Sequence, residues 1–219
     1  MFLLFNVFLL LFVNLTFATE IEIKDYPILS EKRLELTKKY SKQHYDQDRY
    51  HLYKPKMIVI HYTAQHSLKA GLYTFKPATI FMDRPFLPRF GDLNVGVHFI
   101  INKKGDIYQL LPTTIMGRHV IGFNHTAIGI ENVAFEEDEL TKEQLNKNAK
   151  LVAFLKARHP SIQYLIGHLE YMNRSLPHYK LRIQKDKSYE PTIKIDPGWG
   201  FMKSLRKKLK EDYQIELKK

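Results

Sequence analysis

A chain of 219 residues, 44% of them hydrophobic, is long enough to bury one core of ordinary domain size, and 34 Lys+Arg against 23 Asp+Glu give it a formal net charge of +11. Because it contains no cysteine, a disulfide framework, thiolate metal ligation and a lipid-modified cysteine are all excluded. Any metal must therefore be held by histidines and carboxylates.

Residues 1 to 18 carry no charge, form one apolar run and end in small residues at Thr16 and Ala18. This is the pattern of a secretory signal peptide; the run is short for a spanning helix, although the lack of Lys or Arg ahead of it leaves an uncleaved anchor as the alternative. Both place the body of the protein outside the cytoplasm, exported to a periplasmic or extracellular location, with no stable membrane span once a leader is removed. The polyanions met there are wall or membrane-surface polymers. Nucleic acid is not expected as a partner, since no aromatic-basic motif accompanies the charge.

Residues 19 to 56 are polar and rich in tyrosine and read as an N-terminal extension packed on the domain, with a short helix in SEKRLELTKKY opened by Ser30 as N-cap. The domain itself occupies 57 to 219. MIVIHYTA (57 to 64) is a β-branched run and predicts a buried strand. VGVHFIINKKGDIYQLLP (95 to 112) holds two such runs joined by Lys-Lys-Gly-Asp and predicts a hairpin; AIGIENVAF (127 to 135) predicts a further strand. Residues 141 to 160 open with a Thr-x-x-Gln capping box, place Leu145, Ala149, Val152 and Leu155 at helical spacing and stop at Pro160. A last helix is predicted in GFMKSLRKKLKEDY, with Phe201, Leu205 and Leu209 on one face and its lysines solvated. Together these elements predict an α/β fold: a single domain with a central β-sheet flanked by helices. Residues 66 to 94 and 171 to 193 read as long irregular loops of the kind that rim a site.

Ten histidines invite a metal hypothesis, and the informative ones lie at strand ends. His61 follows the apolar run Met57 to Ile60, and His168 follows Tyr164-Leu-Ile-Gly. Singly, each is more often a satisfied core or edge histidine than a ligand. Two of them with a carboxylate match the open, three-ligand site of a catalytic zinc. In KIDPGWGF (194 to 201) an extended backbone projects Lys194 and Asp196 to the same face, so the carboxylate can bind a metal while the ammonium points at the group the metal polarises. An exposed Lys/Asp pair at a turn is the plain alternative. Glu131, after Ile128-Gly-Ile, is flanked by buried positions where a carboxylate is costly unless paired or functional; a general base and a salt bridge are both open.

IVIHYTA, VGVHFIINKKGDIYQLLP, GRHVIGFNHTAIGIE, LIGHLEY and KIDPGWGF, in this order, resemble the zinc-dependent N-acetylmuramoyl-L-alanine amidases of the type-2 family, which also holds phage lysozyme-amidases and peptidoglycan recognition proteins. The resemblance runs from residue 57 to about 201. It implies a mixed central sheet flanked by helices and one catalytic Zn2+ held by His61, His168 and Asp196. It further implies Glu131 as the acid/base, Lys194 as the oxyanion cation, and His119 and Asn124 as substrate contacts. The implied reaction is hydrolysis of the amide between the lactyl group of N-acetylmuramic acid and L-alanine in peptidoglycan or muropeptides. The alternative on the same fold is a non-catalytic peptidoglycan-binding protein.

The chain departs from the family pattern in three places. The connection from His168 to Asp196 is long and contains His178 and Asp186 as rival ligands. Val97 stands where some relatives carry tyrosine, which shifts the acid/base burden to Glu131. Arg118 stands where others carry tryptophan, which alters the substrate wall. His98 is expected to be structural or to support a ligand, His125 to lie at the rim, and Trp199 and Phe201 to pack in the core.

Overall fold

The structure, a computed structural model, describes residues 21–80 and 86–219, so the leader expected at 1 to 18 lies outside the described residues. Among the described residues, no helix is long and apolar enough to cross a membrane. The core strands form where β-branched runs lie: β2 (Met57–Tyr62), β5 (Ala127–Asn132) and β6 (Tyr164–Gly167). The expected hairpin is β3 (Phe99–Ile101) and β4 (Ile107–Gln109), paired antiparallel around a turn with Gly105 at φ 86. A two-residue strand in the N-terminal extension, β1 (Lys24–Asp25), joins the edge beside β4. The result is one domain with a mixed six-stranded sheet in the order β1-β4-β3-β5-β2-β6. Its β3, β5, β2 and β6 strands run parallel, and β4 is antiparallel to β3.

Alternation along the strands divides the core between two faces. Ile58, Ile60, Ile128, Ile130 and Leu165 pack with Val152 and Leu155 of α3 (Lys142–Arg158) and Met202, Leu205 and Leu209 of α4 (Trp199–Tyr213). The opposite face, from Met57, Val59, Ala127, Tyr164 and Ile166, is covered by Val120, Phe123 and Tyr171 from loops. Its neighbours are α1 (Glu31–Tyr45), through Leu36 and Tyr40, and α2 (Leu68–Phe75), whose Leu72 and Phe75 pack with Ile100.

Thr141 and Gln144 form the capping box of α3 in full, a feature worth about 1 kcal/mol. Ser30 caps α1 as expected, but the helix runs to Tyr45, well beyond the short stretch predicted. The region 66 to 94 is also more ordered than predicted, since it contains α2, capped by Ser67, and a 3-10 turn at Leu87–Phe90. Its stability is tertiary: the buried Arg33 of α1 donates to the carbonyls of Ile28, Phe75, Pro77, Asn94 and Val95, and Asn94 donates to those of Thr74 and Pro77. Burial lowers the Arg33 pKa to about 10.

Trp199 corrects another expectation, because it is 62% exposed whereas Phe201 is buried. At ~100° per residue, Trp199 points roughly a quarter turn away from the stripe of Phe201, Met202, Leu205 and Leu209. The C-terminal tail closes the β6 edge: Lys218 accepts from Leu165 N at 2.9 Å and donates to Gln163 O at 2.9 Å.

Candidate metal centre and its cavity

Register brings the candidate residues together. In the parallel β2/β5 pair His61 is the partner of Glu131, so both side chains leave the same face of the sheet at its carboxyl end. Ile60 pairs with Gly167 of β6, which places His168, the next residue, level with His61. The His61 and His168 rings lie 4.5 Å apart between centroids. Asp196 reaches them on the extended limb before α4. Its Oδ2 lies 3.2 Å from His61 Nδ1 and 3.1 Å from His168 Nδ1. These three ligand atoms all fall within 4.8 Å of one another.

Electrostatics suit a cation at that point. Burial alone would raise the Asp196 carboxyl, but the hydrogen bonds it takes from His168 and His61 outweigh it and hold it well below the usual carboxylate range. Burial, followed by the neighbouring His61, pushes the His168 imidazole down to about 4, which keeps it a neutral donor at neutral pH. Two imidazoles and one carboxylate, with no thiolate, are a donor set that fits zinc.

His119 completes the fit. With a metal on His61 Nδ1, the ring proton must sit on Nε2, and His119 Nδ1 lies 3.1 Å from that atom to accept it. His119 Nε2 in turn faces the Ala127 carbonyl at 3.4 Å. Burial, then His61 and His98, lower the His119 pKa well below the ordinary value, so it stays neutral in this chain. The ring is wedged against Gly129: a Cβ there would come within 2.8 Å of His119 Nδ1. The Gly in Ile128-Gly-Ile-Glu131 therefore makes room for the histidine that supports His61.

Asn124 supports the same loop from below. Its Oδ1 accepts from the backbone N–H of His119 at 2.9 Å and of Val120 at 2.8 Å, and its Nδ2 donates to the Tyr40 hydroxyl at 3.1 Å. Although Asn124 lines the cavity, its amide is committed to the protein, and that geometry gives it a loop-holding task. His98 is fully buried between the Ile115 carbonyl and Gly129 N–H, and burial lowers its pKa to about 4. His125 is not at the rim: it packs against Tyr45 at 4.8 Å, before the start of β5, and does not line the cavity.

Both rival ligands lie elsewhere. His178 is buried against Phe123, with its Nε2 at the Tyr171 carbonyl, and Asp186 bonds Gln43 and Ser188. The insertion serves as a wall instead. Tyr189 stacks on Phe90 at 4.1 Å with an interplanar angle of 10°. Arg118 donates to the carbonyls of Leu87, Gly91 and Leu93 and to the Tyr189 hydroxyl, with its guanidinium 4.9 Å from the Tyr40 ring. One buried arginine thus joins the 87–93 loop, the insertion and α1. A tryptophan could not make these bonds, so the exchange at 118 reaches beyond the wall surface. Sequence reasoning missed Arg33, Tyr40 and Tyr189, whose partners are distant in the chain and leave no local signal.

These elements enclose a cavity of about 540 Å³. The metal triad, Glu131 and Lys194 line it together, and its walls carry Phe86, Leu87, Phe90, Tyr189 and Ile193. All four residues of this limb border the cavity, but Ile193 and Ile195 are exposed whereas Lys194 is half-buried and Asp196 buried, the alternation expected of an extended limb.

A family model described as N-acetylmuramoyl-L-alanine amidase matches residues 51–199. No curated protein matches the chain. Among solved structures, the N-acetylmuramoyl-L-alanine amidase LysC from Clostridium intestinale is 21% identical, with a TM-score of 0.46 over 72% of this chain and 89% of that one. An AmpD structure is 24% identical, with a TM-score of 0.44 over 69% and 84%. The Drosophila peptidoglycan recognition protein SA is 18% identical, with a TM-score of 0.45 over 59% and 76%.

Proposed function

Because the chain belongs to the N-acetylmuramoyl-L-alanine amidase family, we propose that it is a zinc-dependent hydrolase of the amide between the lactyl group of N-acetylmuramic acid and L-alanine, in peptidoglycan or muropeptides. The observation that carries this reading is the convergence of His61, His168 and Asp196 in one cavity with Glu131 in register beside His61. One zinc ion held by these three residues supplies a Lewis acid for the carbonyl and lowers the pKa of water.

The remaining steps belong to the protein's own groups. Glu131 takes the proton of the attacking water and delivers it to the amide nitrogen, which leaves only as an amine. Its buried place beside His61 suits a carboxyl that must alternate between acid and base. Lys194, on the inward face of the limb that carries Asp196, stabilises the oxyanion that develops on the carbonyl oxygen. His119 holds the His61 tautomer, and Asn124 holds the His119 loop. The charge-free run at 1 to 18 supports export to where wall polymer is accessible.

The test is incubation of the zinc-loaded protein with a muramyl tripeptide, followed by mass spectrometry. The expected products are the free tripeptide with an L-alanine amino terminus and the intact lactyl sugar. Chelation should abolish the reaction, zinc should restore it, and Glu131→Gln should lower kcat by about 10² to 10⁴. Tight binding of the muropeptide without release of the peptide would make the protein a peptidoglycan-binding one on the same fold.

A further inference from the structure

The turn that carries Asp196 runs directly into α4, and the start of that helix lacks a cap of its own. The N-cap is Gly198, with φ 104 and no side chain to accept from the first turn. Amides of a first turn have no partner within the helix and must find one outside it. Here the partner comes from 64 positions upstream: Glu137 Oε1 accepts from Phe201 N–H at 2.9 Å. A Cβ on Gly198 would fall on the Glu137 carboxylate, and one on Gly200 would approach Oε1 to 2.8 Å. The two glycines of Pro-Gly-Trp-Gly thus clear a seat for a carboxylate at the positive end of the helix dipole.

Both sides of this contact are anchored. Glu137 begins a 3-10 turn, Glu137–Glu139, whose last residue accepts from Lys103 Nζ at 2.7 Å, His66 Nδ1 at 2.9 Å and Phe135 N–H at 3.1 Å. Those bonds, Lys103 first, lower the Glu139 pKa to about 2. On the other side, the Asp196 carbonyl accepts from Leu169 N–H at 2.8 Å. Pro197 fits over Gly167, where a Cβ would lie 2.9 Å from its Cδ. Glu170 accepts from Gly167 N–H at 2.9 Å and pairs with Arg206 of α4. The His168 turn, the Asp196 limb and α4 are therefore bound to one another. Glu137 is the link from that unit to the segment that leaves β5, the strand carrying Glu131.

The geometry points to Glu137 as a positioning residue that fixes the Asp196 limb relative to Glu131 by capping α4 from outside. The consequence for metal affinity rests on the zinc reading of the site; the consequence for the limb does not. Substitution by glutamine keeps an acceptor for Phe201 N–H, whereas alanine removes it.

The experiment compares Glu137→Ala and Glu137→Gln with the wild-type chain by two measurements. In the metal-free protein, amide exchange at Leu169 should quicken by about fivefold or more in the alanine variant, the loss expected for a cap. The Ile28 amide, which bonds Leu110 at the far edge of the sheet, should stay unchanged. Zinc affinity, by competition with a chromophoric chelator, should fall by about tenfold or more in the alanine variant, with most of both effects reversed by glutamine. Unchanged Leu169 protection, or equal acceleration at Leu169 and Ile28, overturns the positioning role. If the wild-type chain takes up no zinc, the metal reading fails, while Leu169 exchange still decides the role of Glu137.

Discussion

Replacing Gly129 by alanine adds one methyl group where the His119 ring already sits. The new Cβ would meet Nδ1 at 2.8 Å and Cε1 and Cγ at 2.9 Å, so the ring must retreat by about 0.6 Å to reach ordinary contact. It has little room to do so. Its Nδ1 is held 3.1 Å from His61 Nε2 and its Nε2 3.4 Å from the Ala127 carbonyl. Overpacking of this kind costs about 1–3 kcal/mol, which for a domain of this size lowers Tm by roughly 2–12 °C. Because the displaced ring holds His61, kcat on a muropeptide should also fall by about tenfold or more. Gly71→Ala is the control, since its Cβ meets the flexible end of Ile100 at 3.0 Å and Thr63 Cγ2 at an ordinary 3.4 Å, and alanine favours helix α2. Thermal unfolding and steady-state kinetics of both variants check the argument. A Gly129→Ala enzyme with wild-type Tm and kcat would refute it.

Arg118→Met should strand the carbonyls of Leu87, Gly91 and Leu93 and loosen the wall they form, raising KM by about tenfold while zinc content measured on the same samples stays at the wild-type level. An unchanged KM would mean that the wall holds without it. The metal-free protein should also lose stability on mild acidification through His98, whose burial lowers its pKa from 6.5 to about 4. Below pH 6.5 the unfolded chain takes up the proton that native His98 refuses. The stability present above that pH is thus lost as pH falls towards 4, by about 3 kcal/mol in all. Urea midpoints measured at about pH 7 and about pH 4.5 report the loss, and equal midpoints would contradict the assignment.

The parts of the fold that were legible in sequence are those written in local pattern. The apolar runs of β2, β5 and β6 place His61, Glu131 and His168 at strand ends, and the alternation in Lys194-Ile-Asp196 turns both charges inward. What was not legible depends on partners far along the chain. β1 is two residues long and exists because β4 offers an edge; α2 contains Gly71 and is held by Arg33 and Asn94. Trp199 reads as core by composition, yet the phase of α4 turns it outward. The resemblance makes Asn124 a substrate contact, and nothing local in the sequence tells that its side chain bonds Tyr40 and two backbone amides.

The most direct test of the account is zinc content per chain. Wild-type protein should bind one equivalent, Asp196→Ala should lose it, and Asp186→Ala and His178→Ala should keep it, because those two side chains point away from the His61 and His168 rings. An Asp196→Ala chain that retains full zinc would contradict the proposed centre.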